Sequence, residues 1–424
     1  MKALDLPYFI DGFAGVGGRI KDRPEDFFVQ EIPLYEPTND GDHVMAEIQK
    51  IGLSTFDALD CLGRELNVSP RDIGYAGMKD TWAVTRQIVT IPRTTPEAVM
   101  AVKTDKLSVN WAAPHRNKLR LGHLKANRFA IKIRDVEPTK VVLLRPVLDV
   151  LARRGMPNFF GDQRFGRRNN NDLLGAAFVR GDDKEVLRLM LGDPRPDENP
   201  NELEARQHFN NGDYERALRA WPYHSGSERR VLGRLVKTAD VYQAVQAADM
   251  SVRRLWVSAM QSRIFNEVVQ RRITQIDKLL PGDLAYKHDN GACFSVETPG
   301  PLQARVEAFE ISATGPLIGR RLAAPSGVVL EMERELFEKY DVSPNDFRTN
   351  QRDRSHGDRR PIRVQPQDVQ LEGGVDDHGA FITVAFTLPP GAYATILMRE
   401  IMRPTASAVA TPEEPVDIPE HPEN

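Results

Sequence analysis

The sequence predicts a mixed α/β fold of the α+β kind, because strand-like and helix-like periods alternate along the chain with no repeating unit. His43–Ile51 and Asn127–Arg134 carry apolar residues at the two-residue period of a half-buried strand. Thr55–Leu66, Val141–Arg154 and Val252–Ile273 instead space their apolar residues three and four apart, as one face of a helix does. A length of 424 residues suggests two or three domains.

The totals exclude several classes. With 41% hydrophobic and 28% charged residues the composition is that of a globular protein. No stretch approaches the ~20 apolar residues of a membrane helix. The start, Met1-Lys2-Ala3-Leu4-Asp5-Leu6-Pro7, meets an acid too early for a secretory signal. Cys61 and Cys293 are the only cysteines, which rules out a disulfide framework or a cysteine-rich zinc site. The expected location is therefore cytoplasmic. The net charge of −3 is modest, and Glu413, Glu414, Asp417, Glu420 and Glu423 all sit in the last twenty residues. Residues 1–404 alone carry +2. Any nucleic-acid surface must come from local clustering of cations.

Taken in order, Asp11–Ile20 is rich in glycine, but Pro24 follows too soon for the helix of a dinucleotide motif. Pro24–Ile32 reads as a turn feeding a strand, and a phenylalanine at such a start usually faces a core. After the strand His43–Ile51, Ser54 or Thr55 offers an N-cap for a helix reaching about Leu66. Gly74–Thr90 reads as strand, turn and strand, with Asp80 at its centre behind the small residues Gly74, Ala76 and Gly77. Taken alone, Lys79-Asp80-Thr81 would be a turn whose aspartate bonds its own backbone. Pro96–Lys103 suits a short helix. His115–Lys125 alternates Arg116, Lys118, Arg120 and Lys125 with Leu119, Leu121 and Leu124, the pattern of a strand with a basic outer side that could meet phosphates.

Beyond Gly155-Met156-Pro157, helices are expected at Asp183–Leu191, Leu203–Trp221, Arg229–Val245, Val252–Ile273 and Val329–Tyr340. β-structure is expected at Asp283–Pro299 and Ala304–Glu310, a turn at Thr314–Gly319, and a basic loop at Arg348–Arg360. Strands return at Ile362–Val369 and Ala380–Leu388. Pro389-Pro390-Gly391 then precedes a helix, and the Ala/Pro/Glu-rich tail has a disordered composition.

The stretch Ala76-Gly77-x-Lys79-Asp80-x-x-Ala83-x-Thr85-x-Gln87 resembles the active-site motif of the TruD family of tRNA pseudouridine synthases, whose motif aspartate is catalytic. Three further segments share the resemblance: Gly17-Gly18-x-Ile20-Lys21-x-x-Pro24-Glu25-Asp26-Phe27, Asn158–Gly166 and Leu388–Glu400. This chain departs from the pattern at Ala126, where the family has glycine, at Phe159, usually tyrosine, and at Tyr393, often phenylalanine. The resemblance implies a catalytic Asp80 and substrate contacts from Phe27, Asn127, Phe129 and Tyr393. Lys21, beside the first of those segments, is the expected cation for Asp80; Lys79 is less suited, since neighbours on an extended chain point to opposite faces.

It also implies a pseudouridine-synthase catalytic domain over 1–156 and 352–404, with a mixed, mainly antiparallel sheet flanked by helices. An inserted α/β TRUD domain would span 157–351, and 405–424 would be a disordered acidic tail. The implied reaction is isomerisation of a tRNA uridine, usually at position 13, to pseudouridine. It involves no redox change, so no cofactor or metal is expected. The expected partner is tRNA, with no membrane or protein partner and a monomeric state. Arg116, Lys118, Arg164, Phe165, Arg253 and Arg254 are candidate RNA contacts, although such charges are often only solvated. Two other readings are a metal-dependent hydrolase using Asp22, Asp26 and Asp80, and an RNA-binding protein or chaperone without turnover.

Overall fold

The computed structural model of the chain describes residues 6–349 and 353–403; Arg352 and the acidic tail lie outside them. Its contacts fall into two units, one holding Tyr8–Pro157 with residues 363–403, the other Asn158–Ile362. Among the described residues, no helix is long and apolar enough to cross a membrane.

In the first unit a short turn at Pro24–Asp26 leads into β1 (Phe27–Pro33), and β2 (His43–Ile51) follows. Helix α1 (Thr55–Leu66) starts at a capping box. Ser54 Oγ accepts from Asp57 N at 3.1 Å, and Asp57 Oδ2 accepts from Ser54 N at 3.3 Å. Then come β3 (Gly74–Tyr75), β4 (Val84–Pro92), α2 (Pro96–Met100), β5 (Leu107–His115), β6 (Leu124–Arg134), α3 (Val141–Arg154) and β7 (Met156–Pro157).

The second unit contributes α4 (Asn171–Arg180), α5 (Asp183–Leu191), α6 (Pro200–Asn210), α7 (Tyr214–Ala220), α8 (Gly226–Thr238), α9 (Val241–Gln246) and α10 (Met250–Arg271). It continues with β8 (Leu284–Lys287), β9 (Cys293–Ser295), α11 (Gln303–Glu307), β10 (Ile311–Leu317), α12 (Gly327–Lys339), α13 (Asp346–Thr349) and β11 (Asp358–Pro361). The chain returns to the first unit through β12 (Arg363–Val364), β13 (Gln367–Asp376), β14 (Gly379–Leu388) and α14 (Ala394–Met402).

The eight-stranded sheet of the first unit runs β13-β14-β6-β1-β4-β2-β5, with β3 also paired to β4. Only β1 and β4 are parallel; every other pair is antiparallel. Helix α1 lays Ala58, Leu59 and Leu62 on Val44, Ala46 and Ile48 of β2 and Val89 and Ile91 of β4. Burying such side chains stabilises by roughly 1.5–3 kcal/mol each. A charged knot ties the far side of the sheet: Arg134 bonds buried Asp26 at 2.5 and 3.1 Å and Asp376 at 2.6 and 3.0 Å. These bonds hold the Asp376 carboxyl well below the usual carboxylate range.

Several sequence expectations give way here. Residues 116–123 form the loop between β5 and β6, not a basic strand. Leu119 N bonds Thr90 Oγ1 at 2.8 Å, so the buried leucine serves a turn and the alternation around it is incidental. Leu203–Trp221 is two helices, split where Gly212 takes φ 76° and Asp213 caps α7. Arg229–Val245 is split likewise at Ala239, φ 53°. Residues 303–307 are helical, and the expected turn at 314–319 is mostly strand β10 despite Pro316. The second boundary falls after Ile362 instead of near Gln351, because β11 pairs with β10.

Where the chain leaves and re-enters the first unit, Pro157 pairs with Arg363 and Met156 with Val364. Within the second unit, Asn158 N donates to Ile362 O at 2.9 Å. The second unit is organised on α10, which packs closely along α4. A Cβ placed on Gly175 would lie 2.1 Å from Trp256 O. Gly175→Ala must therefore push the two helices apart, and an overpacked core contact costs about 1–3 kcal/mol. Urea unfolding should show a lower midpoint, shifted by that free energy divided by the m-value, and an unchanged midpoint would mean the two helices are not in this contact.

Candidate active site

Residues 76–83 join β3 to β4, and buried side chains from three elements hold this loop by its backbone. From β2, Lys50 Nζ donates to Asp80 O at 3.0 Å and also to Leu53 O. From α1, Thr55 Oγ1 accepts from Lys79 N at 3.0 Å and donates to Gln87 Oε1 at 3.3 Å. From β4, Gln87 Nε2 donates to Gly77 O at 2.6 Å. Gly122 N closes the other side on Ala76 O at 2.8 Å. Lys50, Thr55 and Gln87 are each wholly buried. A hydrogen bond from a charged donor contributes about 1.5–3 kcal/mol, and an unpaired buried one costs as much, so this arrangement has few alternatives.

The loop delivers Asp80 with its side chain 31% exposed, while Lys21 is almost buried. Lys21 Nζ stands 3.3 Å from Asp80 Oδ1 and 4.8 Å from the centre of the Phe27 ring. The backbone of Lys21 sits at φ 59°, a region that costs a non-glycine residue of order 1–3 kcal/mol. Trp82 Nε1 donates to Lys21 O at 2.9 Å and helps to hold it there. Lys79 goes the other way. Its ammonium pairs with Glu31, both groups buried, and burial pushes the Glu31 carboxyl up against the pull of that lysine. The adjacent lysine and aspartate thus serve two separate ion pairs.

Aromatic rings back the site. Phe27 meets Phe129 edge-on at 6.4 Å, and Phe129 stacks on Phe386 at 5.5 Å. Strand register explains the grouping: Val29 pairs with Phe129, and Phe129 with Phe386. Asn127 lies two residues along β6 on the same face, opposite Glu31, and its Oδ1 is buried with no hydrogen-bond partner. Phe27 is 1% exposed. Its ring supports Lys21 and Phe129 from below. Tyr393 is half-buried and precedes α14, five residues after Leu388, the partner of Asn127.

The other expected residues are scattered. Arg116 is exposed but engaged by Asp40. Lys118 Nζ donates to Arg71 O at 2.6 Å. In the second unit Arg164 lies over Phe160, Arg253 bonds Gln246, and Arg254 is exposed on α10. Phe165 is wholly buried beneath Arg263. Asp22 pairs with Arg19 and Asp26 with Arg134, so the three carboxylates of the hydrolase reading do not converge. Among the described residues no group of three or more histidine, cysteine, aspartate or glutamate side chains could hold a metal ion.

Sequence reasoning missed Lys50, Thr55, Trp82 and Phe386. Lys50 looks like any polar residue in an alternating strand, and Thr55 like a cap. Gln87 was visible only as a motif position.

A family model described as tRNA pseudouridine synthase D (TruD) matches residues 3–401. A protein of Geotalea daltonii named tRNA pseudouridine synthase D is 41% identical over 94% of this chain and 99% of its own length. One of that name from Geobacter metallireducens is 43% identical over 93% of this chain and 97% of its own. A crystal structure assigned to TruD from Methanosarcina mazei superposes with a TM-score of 0.80 at 28% identity, covering 94% of this chain and 96% of the other.

Lys50→Met would leave Asp80 O and Leu53 O without their buried donor. Amide hydrogen exchange across residues 77–83 should then quicken by about tenfold or more, the loss of roughly 1.4 kcal/mol or more of local protection, while α10 stays protected. Unchanged exchange in that loop would mean Lys50 does not hold it.

Proposed function

Because the chain belongs to the TruD family of tRNA pseudouridine synthases, we propose that it isomerises one uridine of a tRNA, that at position 13, with Asp80 as its catalytic group. The reaction breaks the C1′–N1 bond, turns the uracil, joins C5 to C1′ and releases the proton from C5. Atoms and electrons balance without an outside reagent. The observation that carries the reading is the Asp80–Lys21 pair: an accessible carboxylate, 3.3 Å from a buried ammonium, on a loop fixed through its backbone.

Attack on C1′ and removal of a sugar proton both need an ionised carboxylate, and the Lys21 ammonium stands beside it. The target base must leave its stack, at a cost of a few kcal/mol. One face of Phe129 is covered by Phe386, so a uracil would meet its edge or remaining face. The unpartnered Oδ1 of Asn127 offers an acceptor to the imide N–H of that base. Tyr393 would close the pocket from the start of α14. The reading as an RNA-binding protein without turnover makes the same tRNA contacts and differs only in product. Free Cys61 and Cys293 suit work in the cytoplasm.

Asp80→Asn should abolish pseudouridine formation, read by carbodiimide labelling and reverse-transcription stops on unmodified tRNA, with tRNA affinity kept. Turnover by that variant would remove Asp80 from the chemistry, and a wild-type protein without product would favour the binding-only reading. Lys21→Met should lower the rate by about 10²-fold or more, as expected when a preorganised charge is lost.

A further inference from the structure

In the second unit, two short segments are laced together by backbone. Arg320 N donates to Ser355 O at 3.1 Å and Arg321 N to His356 O at 2.7 Å. The chains approach so closely that a Cβ on Gly319 would lie 2.2 Å from Gly357 N. This lacing puts Arg320, Arg321 and Arg354 around one cavity of about 570 Å3, with Arg348 and buried Phe347 completing its lining. Arg348 Nε donates to Arg320 O at 2.8 Å, which anchors that side chain at the rim.

About half of the unit's arginines are neutralised by a carboxylate. Arg168 and Arg206 share Glu198, and Arg263, Arg272 and Arg359 hold Asp172, Asp283 and Glu333. The four cavity arginines form no ion pair among the described residues, and they are gathered around one space. Arg320 turns one amino group 2.8 Å from His356 Nε2, which must then accept, and its Nε is buried with no hydrogen-bond partner. Four like charges gathered by backbone geometry, without an ion-paired carboxylate, repel one another until an anion joins them. Guanidinium groups match phosphate oxygens in pairs, and the space admits a nucleotide-sized group.

We propose that this cavity is a binding site for a phosphate of the RNA backbone, a role that rests on the reading of the chain as an enzyme acting on tRNA. It contributes affinity for the polymer and no base readout. The test uses full-length protein and the double variant Arg348→Gln/Arg354→Gln, whose side chains are both exposed. The control is Arg188→Gln, a surface arginine engaged by Glu185 and Asp193.

For the double variant, KM for tRNA should rise roughly tenfold with kcat kept. The slope of log affinity against log salt should become shallower by about 1. The control should match wild type in both, and all three proteins should share one Tm. An unchanged KM and salt slope in the double variant would overturn the site, as would an equal change in the control. Calorimetry of the wild type with inorganic phosphate and with uridine monophosphate separates the sources of the anion. Weak or no binding of either supports a polymer phosphate, while micromolar binding of one would assign the cavity to a free anion and overturn the proposal. If the wild type makes no pseudouridine, the enzyme reading fails, and the salt slope for tRNA binding still decides the cavity.

Discussion

An accessible carboxylate that must also be immobile poses a physical problem, and the bond from Lys50 Nζ to Asp80 O is this protein's solution. A side chain a third exposed has only part of its surface held by neighbours. The fold instead fixes the backbone beneath it, through Lys50, Thr55 and Gln87 on three separate elements. Each of those side chains is buried, so the restraints operate where water cannot compete for the same bonds. The Asp80 carboxylate can then meet a substrate without first losing freedom at its own backbone.

Charge is handled with the same economy. Lys79 and Asp80 are neighbours in sequence, yet one is committed to Glu31 and the other to Lys21. The first pair is dry and holds the loop's floor; the second stands at the surface of the site. Arg134 similarly draws Asp26 and Asp376 together at the opposite edge. With so many cations already matched, the modest net charge of the chain says little about its surface. What matters electrostatically is which few cations have no acid beside them.

Local signals made much of the fold legible. The bounds of β2, α1, α3 and α5 follow from alternation, a serine cap and a glycine stop. Errors arose where a local pattern served a different end. Leu119 and Leu121 imitate strand alternation in a loop, and Gly212 interrupts an apolar period that otherwise continues from α6 into α7. The candidate site was legible where chemistry and motif coincided, at Asp80 and Lys21. It was illegible where function is exercised through backbone bonds, since Lys50 is defined by which carbonyl it reaches across thirty residues. Phe386 was hidden for a similar reason, because only the register of β14 on β6 brings it to Phe129.

That register also sets a schedule. The ring covering one face of Phe129 belongs to β14, which enters the sheet beside β6 only after the 205 residues of Asn158–Ile362 have intervened. A ribosome therefore releases Asp80, Lys21 and Asn127 long before the strand that completes their aromatic backing exists. Until β14 arrives, the edge of β6 is open and the nascent polypeptide holds Asp80 beside an unfinished sheet. Completion of this sheet is thereby tied by topology to the arrival of β14.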